Sequence, residues 1–441
     1  MKGLSKQVVR EISRKKKEPD WMLRFRLKAL EVFERKPMPS WGADLSGLDF
    51  SKIRYFKEPE VYRKRSWQEV PKKTKETFEK LGIPRLERKL LAGVGAQWDS
   101  GVVYQSLKAR LAKQGVIFGD MDEAVKKYPE LVKKYFMTKC VGVEDNKFTA
   151  LHGAVWSGGS FVYIPKRVKV KEPLQGYFWL NLARGGQFEH TLIVVEEGGE
   201  LQFIEGCSAP TYQEESLHVG VVEIFVGKRA KVRYSTVQNW SKNVYNLSTK
   251  RAMIEEEGIM EWVSGSLGSK VTMVYPSSVL IGRRARADHL SLSLAGKGQE
   301  LDTGGKAIHA APETTSNMIA KSFCKDGGVT AYRGLVKILK GAKGSKSSVS
   351  CEGLILDKKS QVKTYPHMEI DEDEVVALHE AKTGKVAEEE LFYLMSRGIT
   401  EQEAMSMIVN GFIEPIVKQL PLEYAVEMNR LIELEMEGSV G

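Results

Sequence analysis

Two cysteines, a histidine and a glutamate are the residues of this sequence whose types and spacing best suit chemistry. Cys351 lies in the alternating run SSVSCEGLIL, about thirty residues before His379 and Glu380 in VVALHEAKTGK. A thiolate, an imidazole and a carboxylate that meet at one place can hold a soft metal. Each of the three taken singly is more often a packing, capping or solvated residue. The spacing alone therefore leaves both interpretations open.

The second thiol, Cys207, has a different setting. Gly206, Ser208 and Pro210 surround it in FIEGCSAP and predict a turn at the end of a strand, where a thiol adds little packing. An unperturbed thiol has a pKa of about 8.5, so only a few per cent is thiolate at neutral pH. As a nucleophile, Cys207 would need electropositive surroundings, which the basic part of the chain could supply.

Several enzyme motifs are missing from the sequence. GAKGSKSS does not match the phosphate-binding pattern GxxxxGK[ST], GVGAQW does not match the dinucleotide fingerprint, and GxSxG does not occur. The chain is therefore not expected to hydrolyse ATP or to act as a serine hydrolase. The four cysteines form no CxxC pair, which argues against a disulfide framework and a closed zinc site. Cys140 and Cys324 match no motif and are expected to be packing residues.

Charge is unevenly distributed along the chain. Residues 371–441 carry 16 acidic and 5 basic side chains, a net charge of −11, which leaves +21 for residues 1–370. A basic body favours anionic partners, but no zinc-finger, RNP-like or helix-turn-helix pattern accompanies the charge, so nucleic acid is not an expected partner. The sequence has neither a secretory h-region nor a long apolar run. A cytoplasmic protein with no membrane contact is expected.

Hydrophobic periodicity divides the chain into three regions. Residues 1–145 are predicted to be mainly helical, with helices in EPDWMLRFRLKALEVFERKP, SWQEVPKKTKETFEKLGI and MDEAVKKYPELVKKYF; Asp20 is the expected cap of the first. Residues 146–375 alternate with period two in short runs broken by Gly, Ser, Asn and Lys. So much continuous strand favours a solenoid of stacked coils, with a large barrel or two sandwiches left open.

Helix returns in residues 376–441, which form the third region. EEELFYLMSRGITEQEAMSMIVNGF predicts one helix that ends at Gly398 and a second that opens with a capping box at Thr400 and Glu403 and stops at Gly411. PLEYAVEMNRLIELEME predicts a third helix with Pro421 in its first turn. This acidic helical end is either a docking surface or a solvated lid on the solenoid.

Several longer stretches resemble one known family. EDNKFTALHGAVWSGGSFVYIP, EGCSAP, YSTVQNW, DTGGKAIH and LFYLMSRGITEQEAMSMIVNGF are similar to the SufB/SufD family of the SUF iron-sulfur cluster assembly machinery, along nearly the whole chain. EGCSAP together with VSCEG and LHEAK favours the SufB branch. The resemblance implies a mainly β fold, a right-handed parallel β-helix flanked by N-terminal and C-terminal helical domains, and an assembly scaffold rather than an enzyme.

The resemblance also implies roles for individual residues. Cys207 matches the cysteine that receives sulfur as a persulfide, and four residues match the proposed path of that sulfur through the β-helix: Asn181, Gln238, Trp240 and Lys250. Cys351 and Glu380, beside His379, match the residues that build the nascent iron-sulfur cluster. The sequence departs from the family pattern at Trp179, where many relatives have a basic residue, and at Leu378 and Lys382 in ALHEAK, so shared roles at these positions are in doubt.

Partners and cofactors follow from the same resemblance. They are a SufC-type ABC ATPase docked on the C-terminal helical domain and a SufE-type or SufU-type sulfur donor with its cysteine desulfurase. A SufD subunit or a second copy of the chain would complete the cluster site. The cargo is a transient [4Fe-4S] or [2Fe-2S] cluster, and a flavin is left open as an additional cofactor. The alternatives are a SufD-like structural partner, a carbohydrate-active β-helix protein of the pectate-lyase kind, and an interaction module without metal.

Overall fold

The computed structural model describes residues 1–57, 91–180, 184–209 and 214–419, and positions 425, 429, 430, 432 and 433. Its centre is a parallel β-solenoid of about eight turns, as the sequence predicts. Two long sheets form its walls, and each turn adds one strand to the first sheet and one or two strands to the second.

The first sheet has the strand order β2-β1-β5-β8-β11-β14-β17-β19-β21-β23. Its strands are β1 Gly93–Trp98, β2 Gly101–Leu107, β5 Leu174–Trp179, β8 Glu200–Ser208, β11 Lys231–Trp240, β14 Ile259–Gly268, β17 Arg286–Ala295, β19 Thr315–Cys324, β21 Lys346–Ile355 and β23 Val376–Lys385. All neighbours from β1–β5 onward are parallel, whereas β1 and β2 form an antiparallel hairpin at the N-terminal end.

The second sheet has the order β3-β4-β7-β10-β13-β16-β18-β15-β12-β9-β6, with β20 and β22 continuing beyond β18. Its strands are β3 Ile117–Asp120, β4 Ser160–Ile164, β6 Gly186–Gln187, β7 His190–Val195, β9 Ser216–His218, β10 Val221–Val226, β12 Val244–Asn246, β13 Thr249–Ile254, β15 Val271–Val274, β16 Ser277–Leu280, β18 Glu300–His309, β20 Val329–Ile338 and β22 Gln361–Ile370.

The described helices are α1 Lys6–Lys16, α2 Asp20–Arg35, α3 Ala109–Lys113, α4 Met121–Lys127, α5 Pro129–Tyr135, α6 Lys147–Val155, α7 Glu388–Ser396 and α8 Glu401–Val417. Helices α1, α2 and α6 share one apolar cluster with strands of the second sheet. Helices α4 and α5 pack on the same sheet through Met121, Val125 and Val132. The N-terminal helices therefore cover the side of the solenoid.

A corner with a left-handed residue recurs once per coil and holds the turns in register. Arg229, Glu257, Arg284 and Glu313 all have φ between 55 and 59°. The amide of each donates to a carbonyl of the next coil, for example Glu257 N to Arg283 O at 2.9 Å. Because positive φ is costly for residues other than glycine, stacked hydrogen bonds and charge pairs such as Arg284–Glu313 must offset it.

Helix α8 packs on the outer face of the first sheet. Val409, Ile413 and Ile416 of α8 are buried against Val263 and Leu292, which point outward from β14 and β17. The capping box at Thr400 and Glu403 is present, and Gly398 at φ 88° ends the turn after α7. The last coil, β22 and β23, has no further strand beyond it among the described residues.

Several boundaries differ from the sequence-based expectations. Strand β23 carries the solenoid to Lys385, ten residues past the predicted boundary at 375, and places His379 and Glu380 on a strand. Helix α8 continues through Gly411 to Val417, because burial of Ile413 and Ile416 outweighs the roughly 1 kcal/mol cost of a glycine. The N-terminal region also contains strands β1, β2 and β3.

Three further helix predictions have separate outcomes. The run MDEAVKKYPELVKKYF forms α4 and α5, confirming helix there. Asp20 is the first residue of α2, and Pro19 occupies the cap position instead. The predicted helix in SWQEVPKKTKETFEKLGI lies outside the described residues, and so does most of the predicted helix at 421–437.

Candidate functional site

Cys207 lies on the inner face of the solenoid, one residue before the end of β8. It is 2% exposed and packs in an apolar cluster with Phe178, Leu180, Trp240 and Val244. Its burial corrects the expectation of an open turn thiol. The structure also replaces the expected electropositive setting: burial, and then the carboxylates of Glu205 and Glu189, raise the pKa of the Cys207 thiol well above its ordinary value.

The positive charge of Lys250 acts on this thiol, and its ammonium is paired. The Nζ atom of Lys250 donates to Oε1 of Glu205 at 2.6 Å, and both side chains are about 2% exposed. Glu205 also accepts hydrogen bonds from Tyr234 and Thr236. Burial raises the pKa of Glu205, but the charge and hydrogen bond of Lys250 outweigh it, so the pKa lies below its ordinary value.

A second buried pair near Cys207 was not found by sequence reasoning. His218 Nε2 lies 2.5 Å from Oε1 of Glu189, and His218 Nδ1 lies 2.8 Å from Oδ1 of Asn246. The amide of Asn246 donates to Oε1 of Gln238 at 2.6 Å, which orients its oxygen toward the histidine. Both ring nitrogens therefore face acceptors, and the imidazolium form satisfies both.

The protonation of His218 follows from its neighbours. Burial lowers the pKa of His218, but the charge and hydrogen bond of Glu189 outweigh it, so the pKa is raised. The ring of Trp240 lies 4.4 Å from the ring of His218. No spacing in the sequence indicates this group, because His218, Glu189 and Asn246 come from three different coils and meet only through strand register.

The predicted sulfur-path residues have different outcomes. Gln238 is the register neighbour of Cys207 and Trp240 packs against it, so the structure brings both, with Lys250, to the thiol region. Trp179 on β5 is the register partner of Ser208, the residue that follows Cys207 on the neighbouring strand β8. Asn181 lies outside the described residues.

Two rows of inward-facing residues run along the first sheet from Cys207 toward the last coil. One passes from Cys207 through Gln238, Ser266, Ser293 and Ser322. The other passes from Glu205 through Thr236, Ser264, Ser291 and Ala320 to Cys351. The rows belong to one face because residues in register point to the same side of a sheet.

An internal cavity follows the middle of these rows. Its lining includes Gln238, Lys250, Ser264, Ser291 and Thr303. Between the cavity and Cys351 the interior becomes apolar at Met318, Ala320 and Tyr332. The polar lining therefore begins beside Cys207 and stops about two strands before Cys351.

Cys351 faces the interior near the open end of the solenoid, and it meets His379. Its Sγ lies 3.6 Å from Nε2 of His379, and Nδ1 of that ring has no hydrogen-bond partner among the residues that the structure describes. Burial raises the pKa of Cys351 to about 12 and lowers the pKa of His379. A Cβ on Gly334 would lie 3.2 Å from Cε1 of His379, so glycine leaves room for the ring.

Glu380 does not join this pair. It is in register with Ser350, on the opposite face of the sheet from Cys351, and its carboxylate pairs with Lys382 at 2.8 Å in solvent. The expectation that thiolate, imidazole and carboxylate meet is therefore wrong for this chain by itself, because side chains alternate along β23. Among the described residues no three His, Cys, Asp or Glu side chains are grouped to hold one metal ion.

Cys140 and Cys324 are both buried. Cys140 Sγ donates to the carbonyl oxygen of Arg251 at 3.2 Å, and Cys324 shares an apolar cluster with Ala295 and Leu301. Burial raises the pKa of Cys324 to about 11. Their surroundings give neither thiol an evident chemical role, as the sequence predicts.

Comparisons with known proteins match this architecture from one end to the other. A profile of the SUF system FeS cluster assembly SufBD core domain matches residues 178–412, and a profile of the SufBD protein N-terminal region matches residues 7–175. Iron-sulfur cluster assembly SufBD family proteins of Staphylococcus saprophyticus, Staphylococcus haemolyticus and Staphylococcus epidermidis are each 55% identical over 440 residues, covering 100% of this chain and 94% of each relative.

The chain belongs to the SufBD family. It is therefore a protein of iron-sulfur cluster assembly, and the carbohydrate-active alternative is excluded. In the described ranges of this SufBD protein, no helix combines the length and the apolar character needed to cross a bilayer.

Large apolar side chains of this SufBD protein are exposed on the last coil and on helix α7. The last coil exposes Leu378 at 62% and Val376 at 50%, beside the edges of β22 and β23 that no described strand covers. Helix α7 has no buried residue; it exposes Phe392 at 72% and Tyr393 at 56% behind a first turn of three glutamates. Exposed apolar side chains grouped in this way are typical of protein interfaces.

Proposed function

We propose that this chain is a SufB-type scaffold that accepts sulfur at Cys207 and builds a nascent iron-sulfur cluster at Cys351 and His379. One observation carries the proposal: both thiols face the same interior, and rows of small polar side chains cover the first part of the distance from Cys207 toward Cys351. Five strand steps separate them, which corresponds to about 24 Å along the solenoid. The cluster is cargo for transfer to apoproteins, and ATP hydrolysis belongs to a partner.

Sulfur acceptance is a displacement at the sulfane sulfur. The Cys207 thiolate attacks the outer sulfur of a persulfide on a SufE-type or SufU-type donor; a new S–S bond forms, the donor's S–S bond breaks, and the donor leaves as a thiolate. Because burial raises the pKa of the Cys207 thiol, the reaction needs nearby cations that stabilise negative sulfur. Lys250 and His218 are the cations available within the described residues around it.

The interior supplies the route for this sulfur. Hydroxyl and amide groups such as those of Ser264 and Gln238 can donate hydrogen bonds to an anionic sulfur atom. Near Cys351 the walls of Met318 and Tyr332 replace these donors. An apolar interior around the Cys351 thiol suits a cluster that is assembled and released, because water is kept from the cluster and few groups compete for iron.

The distance between the side chains of Cys351 and His379 supports cluster assembly at this pair. Sulfur and nitrogen ligands at about 2.3 and 2.1 Å from a tetrahedral ion are about 3.6 Å apart. The Sγ–Nε2 distance of 3.6 Å fits one such ion. Two ligands hold a cluster incompletely, so a SufD subunit or a second copy of this chain, paired at the open coil, would complete the site.

The two exposed surfaces support two different partners. We assign the open coil, with Leu378 and Val376, to the second scaffold subunit, because its strand edges can extend a sheet. We assign α7 to a SufC-type ATPase, since Phe392 and the glutamates around it offer an apolar centre with an acidic rim.

Sulfur labelling tests the proposal. The full chain is incubated with a cysteine desulfurase, its SufE-type or SufU-type donor and cysteine, and the position of added sulfur is read by mass spectrometry. Added sulfur on Cys207 in the wild type, and none in Cys207→Ser, is the expected result. Sulfur found only on Cys140 or Cys324 would contradict the assignment.

Anaerobic reconstitution with iron and sulfide tests the cluster end. Cys351→Ser and His379→Ala should each weaken the charge-transfer absorbance, whereas Glu380→Gln should have less effect in the chain alone. Cys324→Ser is a matched control, because it removes a buried thiol outside the site. A wild type that stays colourless with its partner subunit present would favour a SufD-like structural role or an interaction module.

A further inference from the structure

A deep cleft lies on the outside of the solenoid, between the N-terminal segment and the second sheet. Residues 36–41 and 145–148 form one wall, and residues 247–251, Met273, Tyr275, Ser277 and Lys306 form the other. Its volume is about 580 Å³, which falls in the range of small-molecule sites. The sheet separates this cleft from the interior that contains Cys207.

Three polar groups on the sheet wall are in register and have unused hydrogen-bonding capacity. Arg251, Ser277 and Lys306 are neighbours on β13, β16 and β18. Ser277 is 3% exposed, and within the described part of the chain neither its hydroxyl nor Nε of Arg251 has a hydrogen-bond partner. Lys306 makes no hydrogen bond or ion pair with any described residue, and its ammonium lies 5.4 Å from the centre of the Tyr275 ring.

Positive charge in the cleft exceeds negative charge. The ammonium or guanidinium groups of Lys36, Lys147, Arg251 and Lys306 line it. Among the described lining residues the one carboxylate, that of Asp145, is bound to Arg251 at 2.6 Å, and Lys36 pairs with Glu144 at 3.4 Å outside the lining. Lys147 Nζ donates to the carbonyl oxygens of Phe33 and Lys36, at 2.8 and 2.5 Å, and it forms no ion pair with an acid in the described ranges. Burial, and then the charge of Arg251, lower the pKa of Lys306, which an anion would reverse.

The mouth of the cleft is aromatic. Trp41 is 51% exposed and its ring lies 5.6 Å from the ring of Tyr275, and Met273 lies deeper in the lining. Exposed tryptophan beside a cationic pocket offers a flat apolar surface for the organic part of a ligand, while lysine, arginine and a hydroxyl suit a phosphate.

We infer that this cleft binds a small phosphorylated molecule, with its phosphate between Lys306, Ser277 and Arg251 and its organic part against Tyr275 and Trp41. The concave shape and volume favour a small molecule over a nucleic acid strand, which would follow an open groove. The inference stands apart from the proposed sulfur chemistry, because none of these side chains faces the interior.

Calorimetric titration of the full iron-free chain tests the inference with three probes. Adenosine monophosphate should bind saturably, pyrophosphate more weakly, and adenosine without phosphate least. Lys306→Gln should weaken adenosine monophosphate binding at least tenfold, and Ser277→Ala should weaken it by a smaller factor. Lys306→Arg, which keeps the charge, should retain most of the affinity.

Lys343→Gln is the matched control, since it removes one exposed lysine that pairs with Glu374 on a distant corner. It should bind adenosine monophosphate as the wild type does, and thermal unfolding should show that all variants remain folded. Absence of saturable binding for both phosphate probes would overturn the inference, and so would equal affinity of Lys306→Gln and wild type. Equal affinity for pyrophosphate and adenosine monophosphate would overturn the aromatic contact.

Discussion

Replacing Lys250 by methionine removes the charge that compensates Glu205 inside the solenoid. The two side chains are about 2% exposed and joined at 2.6 Å, so solvent cannot replace the lost partner. Removing one member of a buried ion pair typically costs about 3–5 kcal/mol. Tyr234 and Thr236 still donate to Glu205, which places the expected loss at the lower end, about 3 kcal/mol.

A double-mutant cycle separates the charge effect from the loss of packing. Glu205→Gln combined with Lys250→Met leaves no unpaired charge, so the double variant should recover about 2 kcal/mol relative to the sum of the single losses. The assay is urea unfolding of the full iron-free chain at pH 7. Additive losses in the cycle would refute the reasoning, because they would mean that the two charges do not stabilise one another.

The pH dependence provides a second check on the same pair. The pKa of Glu205 is depressed in the folded chain, so its stabilising contribution is present above the ordinary value of 4.5 and is lost as the pH falls through the folded value. In Lys250→Met the carboxyl can take up a proton, and the deficit relative to wild type should shrink in acid. The double variant should still accept little sulfur at Cys207, because the ammonium remains absent.

Three further predictions concern other parts of the molecule. Burial raises the pKa of Glu223 to about 8, so the folded chain holds a proton that the unfolded chain releases above pH 4.5. Stability in urea unfolding should therefore fall as the pH rises from about 4.5 to about 8, and less steeply in Glu223→Gln. Ser264→Leu narrows the internal cavity, so it should leave persulfide on Cys207 but reduce cluster formation at Cys351 by roughly tenfold. Ser348→Leu, on the exposed outer face of the sheet, should not reduce cluster formation. Equal cluster yields in the two variants would argue against the route. Phe392→Asp should abolish pull-down of a SufC-type ATPase without changing the unfolding midpoint, since Phe392 is 72% exposed; full retention would remove α7 from the interface.

The stacked-coil architecture could be predicted from the sequence, but its period could not. Alternation of side chains marks each strand whatever its partner is, so the run from β4 to β21 is visible as strand. The left-handed corners at residues 198, 229, 257, 284 and 313 are 27 to 31 residues apart, so no fixed repeat length exists to count. Hydrogen bonds between corners of successive coils, not a sequence period, set the register.

The two thiols of the candidate site could be predicted from the sequence, but the charged residues around Cys207 could not. Cys207 and Cys351 stand out by type and motif, whereas His218 and Glu189 are unremarkable in sequence and acquire their pairing from coils that lie next to each other. The prediction that Glu380 joins the site is wrong for a different reason: His379 and Glu380 are adjacent in sequence, and adjacent residues of a strand point to opposite faces of the sheet. That distinction depends on whether the segment is strand or helix, and its Ala, Glu and Lys content favours helix.

The two ends of the solenoid are unlike, and this difference limits how many copies can join. At the N-terminal end the first sheet finishes in an antiparallel hairpin, while at the other end no described strand pairs with the outer edges of β22 and β23. A surface that binds the same surface of a second molecule is fully covered in a dimer. Contacts between two different surfaces of each molecule would instead continue from copy to copy into a filament. Pairing through the bare end would therefore set the count of subunits at two by geometry, whatever the strength of the contact.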